Sequence, residues 1–233
     1  MKKRDWKSII SIFVLICFIA PIGYTIYKII VSPVKNVDNI EGLRVKADYY
    51  VMLFQCIIGV TGFFLPNIIS KRAKIIIPSN MYIAYILFLY GCIFLGEIRN
   101  YYYKIPNWDT ILHTFSGAML GIVGFSFVNI INKNEKVHVE LSPVFVVIFA
   151  FCFAVALGVI WEICEFTVDD VMGSNMQKFA MEDGTAILGR EALKDTMEDL
   201  IVDTMGAFVM SIIGYISIKY KKGWIDRFLI NRK

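Results

Sequence analysis

Six stretches of this chain are apolar for about the length an α-helix needs to cross a bilayer. They run from Ile9 to Ile30, Tyr49 to Ile69, about Ile75 to Leu95, Trp108 to Ile131, Leu141 to about Phe166, and about Asp199 to Ile218. About 20 residues, rising 1.5 Å each, cover the roughly 30 Å of hydrocarbon. In lipid the backbone must satisfy its own polar groups, which favours helices for runs of this length. The chain is therefore expected to be all-α: a polytopic membrane helix bundle of six transmembrane helices, one integral membrane domain over residues 1–233. The third stretch reaches spanning length only if it starts near Ile75, with Pro78 tolerated in its first turn. The first follows Lys2, Lys3, Arg4 and Lys7. Its apolar run is longer than a signal-peptide core and no small-residue cleavage site follows, so it is expected to be a retained span.

Composition agrees with this reading. Of the 233 residues 57% are hydrophobic and only 19% charged, against about a quarter charged in soluble domains. Disorder, collagen-like repeats and a secreted disulfide scaffold are excluded. The formal net charge of +4 gives no reason to expect a nucleic-acid partner, because in a membrane protein the sign of each loop matters more than the sum. The expected surroundings are membrane lipids. All five cysteines (Cys17, Cys56, Cys92, Cys152, Cys164) fall within spans and read as small apolar residues.

Loop charges suggest an orientation. With the N-terminus in the cytoplasm, Lys2, Lys3, Arg4, Lys7, Lys71, Arg72, Lys74, Lys133, Lys136 and the six basic residues from Lys219 onward lie inside, the majority of the 24 Lys and Arg. The positive-inside rule then gives N-in/C-in topology in the cytoplasmic membrane of a bacterium. Of the 20 acids, only Asp5, Glu135, Glu140 and Asp226 fall on that side.

Ionisable side chains inside a span are costly, and each is a functional hypothesis. Followed in alternating directions, the spans bring their charged ends to one level, the outer one. Span three ends at Glu97 and Arg99, span four opens with Asp109 and His113, span five closes with Glu162, Glu165 and Asp169, and span six opens with Asp195, Asp199 and Asp203. Asp109 and His113 are i, i+4. The glutamates and Asp169 are i, i+3, i+7, and the three later aspartates are i, i+4, i+8. Each set forms one helix face. Only 15 residues separate Thr204 from the end of the last span, too few to cross the hydrocarbon, so Asp203 is expected within the membrane.

Carboxylates gathered in a low-dielectric pocket need counter-charge from protons, Arg99 or a divalent cation. The candidate metal ligands are His113, Glu162, Glu165, Asp199 and Asp203, with Asp109, Asp169 and Asp195 as secondary candidates. Oxygen donors favour Mg²⁺, Mn²⁺ or Ca²⁺, and one imidazole shifts the preference toward Mn²⁺, Fe²⁺ or Zn²⁺. The donor set resembles helix-bundle dimetal sites but lacks their Glu-x-x-His motif. Gly117 and Gly121 form a GxxxG, continued by Gly124, and Gly206 follows Asp203, which points to close helix packing around the cluster. The segment of about 170–194, with Gly173, Gly184 and Gly189, is long for a tight bundle and reads as a lid over the pocket or a loose connection.

Three patches, Trp108-Asp109-Thr110-Ile111-Leu112-His113-Thr114-Phe115-Ser116-Gly117, Trp161-Glu162-Ile163-Cys164-Glu165-Phe166 and Asp195 through Asp199 and Asp203 to Gly206-Ala207, resemble the YjdF-like bacterial integral membrane proteins, an uncharacterised family. The resemblance covers spans four to six. Asp109, His113, Gly117, Glu162, Glu165, Asp195, Asp199 and Gly206 match its pattern, while Met172-Gly173-Ser174-Asn175 stands where the family carries a Gly-x-Gln-Gly-Asp-like stretch. A fainter likeness runs to VanZ-like membrane proteins, which are linked to glycopeptide tolerance. Neither resemblance implies a reaction.

Three functions compete. A metal-assisted hydrolase or transferase would act on a lipid-linked or phosphate-bearing substrate, with Glu162 or Glu165 as general base and His113 as ligand or acid. A proton- or cation-handling transporter would relay charge through the acids. A structural or interaction protein would use the cluster as an interhelical lock.

Overall fold

The structure is a computed structural model, and it describes residues 6–34, 45–132, 141–181 and 185–232. The N-terminal Lys2, Lys3, Arg4 and Asp5, the loop with Lys133, Glu135, Lys136 and Glu140, and Gly184 lie outside the described residues. The six apolar stretches are six helices long and apolar enough to cross a membrane. They are α1 (Trp6–Val31), α2 (Lys46–Arg72), α3 (Ser79–Leu89, continued as a π-helix over Tyr90–Ile98), α4 (Trp108–Asn132), α5 (Pro143–Met172) and α6 (Lys194–Lys219). The chain divides into two compact units, Met1–Trp108 and Asp109–Lys233.

The first unit is built on α1, α2 and α3. Val14 and Phe18 of α1 meet Phe63 of α2 and Tyr82 and Ile86 of α3 in its core. Gly59 lies so close to the Phe18 ring that a Cβ there would touch it. The remaining surface of α1 is apolar and uncovered, with Ile12, Phe13, Ile16 and Ile19 all exposed, as a helix facing lipid should be. The third span is displaced from the expected 75–95. Pro78 is extended (φ −62°, ψ 152°) and sits at the N-cap, Ile75 and Ile76 are extended, and the helical course runs on to Ile98. The residue before a proline disfavours the α conformation, so the helix starts after Pro78 rather than through it. Length lost at that end is regained through the π-helical turns, closed by Arg99 N–H donating to Phe94 O at 2.9 Å. The Trp108 indole donates to Gly91 O in the same segment at 3.2 Å.

The second unit contains α4, α5 and α6. Ser142 caps α5, its hydroxyl accepting from Phe145 N–H, with Pro143 in the first turn. The helix runs beyond the expected Phe166 to Met172 and ends where Gly173 takes a left-handed conformation (φ 65°), with its N–H on Asp169 O at 3.0 Å. The sixth span also starts earlier than Asp199: a 3₁₀ turn over Gly189–Leu193 leads into α6 at Lys194. Asp195, Asp199 and Asp203 therefore share one helix.

The buried face of α6 is a stripe of Asp199, Asp203, Gly206, Ala207, Ser211, Gly214 and Ser217. Small residues let backbones approach where no hydrophobic force drives helices together in lipid. A Cβ on Gly117 would overlap Asp203 O, and one on Gly206 would overlap Thr114 O, so α4 and α6 touch backbone to backbone at that crossing. Gly124 does the same against Ala150 of α5, and Gly214 receives the Phe125 ring. The unit's core is Phe125, Val128, Val146, Ala150 and Ile225. The chain after α6 is tied back to α4, Ile230 N–H donating to Ser126 Oγ at 3.0 Å.

Candidate functional site

The glycine crossing sets the site. Because α4 and α6 meet at Gly117 and Gly206, the residues one turn away, His113 and Asp203, come side by side. His113 is buried, 7% exposed. Its Nδ1 lies 3.1 Å from Asp203 Oδ2, and Ser116 Oγ donates to the other oxygen, Oδ1, at 2.5 Å. Gly158 of α5 leaves the room: a Cβ there would lie 3.1 Å from Asp203 Oδ2. The other face of the imidazole looks elsewhere. Nε2 is 3.6 Å from Asp109 Oδ1 and 3.8 Å from Asp199 Oδ2.

This geometry separates roles that the residue types alone leave merged. With Nδ1–H donating to Asp203, Nε2 presents its lone pair to two carboxylate oxygens, an arrangement that needs a positive charge between them, either a proton or a metal ion. Asp109, His113 and Asp199 each offer one ligand atom, and these atoms all lie within 4.8 Å of one another, close enough to hold one ion. Ligands about 2.1 Å from a common ion lie about 3.4 Å apart in tetrahedral geometry, near the distances seen here. Asp203 lies on the Nδ1 side of the ring, and Asp109 and Asp199 lie on the Nε2 side. Asp109, a secondary candidate by sequence, is one of the three convergent groups.

Glu162 and Glu165 lie buried on α5, next to this group but outside it. Glu165 accepts from the Trp161 indole at 2.9 Å. Glu162 is 4% exposed, and neither of its oxygens makes a hydrogen bond among the described residues. The neighbouring Gln177 amide is directed to Thr196 Oγ1 at 2.9 Å. Cys164, between the two glutamates in sequence, is exposed and not buried with them.

Asp169 serves the loop instead of the pocket. It accepts from Ser174 Oγ at 2.6 Å, Met176 N–H at 2.7 Å and Gln177 N–H at 2.9 Å. Asn175 clamps the same turn through Ala180, its Nδ2 donating to Ala180 O at 2.7 Å and its Oδ1 accepting from Ala180 N–H at 3.0 Å. The turn so formed carries Lys178, at φ 47°, into the acids: its Nζ pairs with Asp109 Oδ2 and lies 2.7 Å from Asp195 Oδ1. Burial opposes the charge on Lys178, but Asp109 and Asp195 outweigh it and hold the ammonium's pKa above the ordinary lysine range.

Lys178 is the residue paired with these acids that sequence reasoning missed. A lysine in a long connecting segment gives no periodic signal, and only an unmatched excess of buried acids hinted that some basic side chain must reach them. Arg99, one of three expected sources of counter-charge beside protons and a divalent cation, belongs to the other compact unit.

A family model described as "Predicted membrane protein (DUF2238)" matches residues 39–220. An uncharacterised protein of Thermotoga maritima is 32% identical over 148 residues, which are 63% of this chain and 64% of that protein. The aligned part thus spans a little under two thirds of that relative's length. No solved structure matches the chain. The family match extends ahead of spans four to six, to which the motif resemblance was confined, and begins before α2.

Proposed function

The chain belongs to the membrane-protein family described as "Predicted membrane protein (DUF2238)", and on that footing we propose that it holds a divalent cation on Asp109, His113 and Asp199 and uses it in hydrolysis or group transfer. The observation that carries the reading is the imidazole of His113, fixed at Nδ1 by Asp203 and facing two carboxylates with Nε2. A mixed nitrogen–oxygen donor set of this kind suits Mn²⁺, Fe²⁺ or Zn²⁺ better than Ca²⁺ or Mg²⁺. Such an ion supplies Lewis acidity and an activated water. Glu162, whose oxygens have no hydrogen-bond partner among the described residues, is then the general base, and the substrate is a lipid-linked or phosphate-bearing molecule reached from the membrane. With the N-terminus in the cytoplasm, the centre lies at the outer face of a bacterial cytoplasmic membrane.

Confinement of the acids to one end favours this over transport. No Asp or Glu occurs from Thr114 to Asn132, from Pro143 to Trp161, or from Thr204 to Lys219, so no acidic relay crosses this unit. A second reading, an interhelical lock, draws on the Lys178 bridge between Asp109 of α4 and Asp195 of α6. It leaves Glu162 and the Nε2 side of His113 unexplained.

The test is elemental analysis of the detergent-purified protein together with titration by Mn²⁺, Zn²⁺ and Mg²⁺. The expected result is about one tightly held ion per chain, lost in His113→Ala and in Asp199→Asn. A wild-type protein that takes up none of these ions overturns the reading.

A further inference from the structure

We propose that Asp109 and Asp195 form a second cation site, which the chain fills with its own Lys178. This site adjoins the His113 site of the proposed function, rests on that reading, and adds to it the number of ions the pocket accepts.

Three observations carry it. The ammonium is held as an ion would be, bridging carboxylates of two different helices, with Asp195 Oδ1 at 2.7 Å and Asp109 Oδ2 as its partners. The Asp195 distance is that of a charge-assisted hydrogen bond between a cation and a carboxylate. Next, the two oxygens of Asp109 are divided, Oδ1 toward His113 Nε2 and Oδ2 toward Lys178. One carboxylate thus joins two cation positions, as a bridging ligand does in paired metal sites. Finally, the surrounding acids remain unsatisfied. Asp195 Oδ2 and both oxygens of Glu162 are buried without a hydrogen-bond partner among the described residues.

Charge decides the consequence of removing the lysine. Glu162, Glu165, Asp199 and Asp203 are buried, Asp109 and Asp195 are partly buried, and among the described residues Lys178 is the lysine or arginine that bridges Asp109 and Asp195. Without its ammonium, Asp109 Oδ2 and Asp195 Oδ1 lose this cationic partner, and Asp195 Oδ2 already has no hydrogen-bond partner among the described residues. Oxygen donors alone suit a hard divalent cation. The turn that carries Lys178 is held by Asp169 and Asn175.

Equilibrium dialysis against Mn²⁺, with the full chain in detergent, tests this. Lys178→Met and Lys178→Gln are each expected to bind one more Mn²⁺ per chain than the wild type. Adding Asp195→Asn to either should remove that extra ion, and Lys178→Arg should bind no more than the wild type. If Lys178→Met folds only when Mn²⁺ is present, the ion has replaced the ammonium and the proposal stands. Lys178→Gln, which keeps a hydrogen-bonding amide, provides the second count. No gain in either variant overturns the proposal. The wild-type count tests the His113 site and the difference between variants tests this one, so the two readings fail separately.

Discussion

Nδ1 of His113 lies 3.1 Å from Oδ2 of Asp203, a residue 90 positions later in the chain, and this contact fixes which side of the imidazole faces the other acids. Buried histidine–carboxylate pairs of this kind set ring orientation and raise the basicity of the outward nitrogen. The glycines that bring α4 against α6 therefore also set up the chemistry of the pocket.

Replacing Asp203 by Asn keeps an acceptor for Ser116 but removes the charge that holds the imidazole. Mn²⁺ affinity is expected to fall about 10–100-fold, the usual cost of losing such a supporting group. Isothermal titration in detergent measures it. Unchanged affinity would show that Asp203 does not orient the ligand.

The crossing of α4 and α6 makes a prediction that distinguishes two glycines of one motif. In Gly117→Ala the new methyl meets the backbone of Asp203, which has nowhere to go, whereas in Gly121→Ala it meets the Met210 side chain at 3.3 Å. Overpacking against a rigid neighbour costs about 1–3 kcal/mol, and a flexible methionine yields. Thermal unfolding in detergent should show a clear loss for Gly117→Ala and little for Gly121→Ala. Equal losses contradict the backbone contact.

Asp169→Ala removes the acceptor for Ser174, Met176 and Gln177. The turn that presents Lys178 then loses its anchor, and the peptide bond after Lys178 becomes a trypsin site. Limited proteolysis should cut the variant there while the wild type resists. Equal resistance means that Asn175 alone holds the turn.

Lys178 also gives a pH dependence. Its folded pKa is raised, burial notwithstanding, by Asp109 and Asp195. A raised lysine stabilises the fold fully below the unfolded value of about 10.4, and that stabilisation disappears as pH climbs through the folded pKa. Melting temperature should therefore drop above about pH 10.4 more steeply in the wild type than in Lys178→Met. Parallel curves would show that the ammonium contributes no net stabilisation.

The sequence alone determined the class of fold, because hydrocarbon thickness leaves a run of some 20 apolar residues little choice but a helix. It also determined which acids share a helix face, since i, i+4 spacing is enough for that, and it marked Gly117 and Gly206 as contact points. Helix ends were legible only loosely. Pro78, expected within the first turn of the third span, stands at its N-cap, and the continuation through π-helical turns to Ile98 left no sequence signal. What only the tertiary structure decided is which of the gathered acids touches which partner. Asp203 and Asp199 are one turn apart on α6, yet one supports the histidine from behind and the other faces its open nitrogen. Asp169 continues the glutamate stripe and serves a loop. Lys178 joins the site from a segment with no periodicity at all. Periodicity encodes faces, but the depth and rotation at which faces meet depend on where two backbones can touch, and that is settled only when the helices pack.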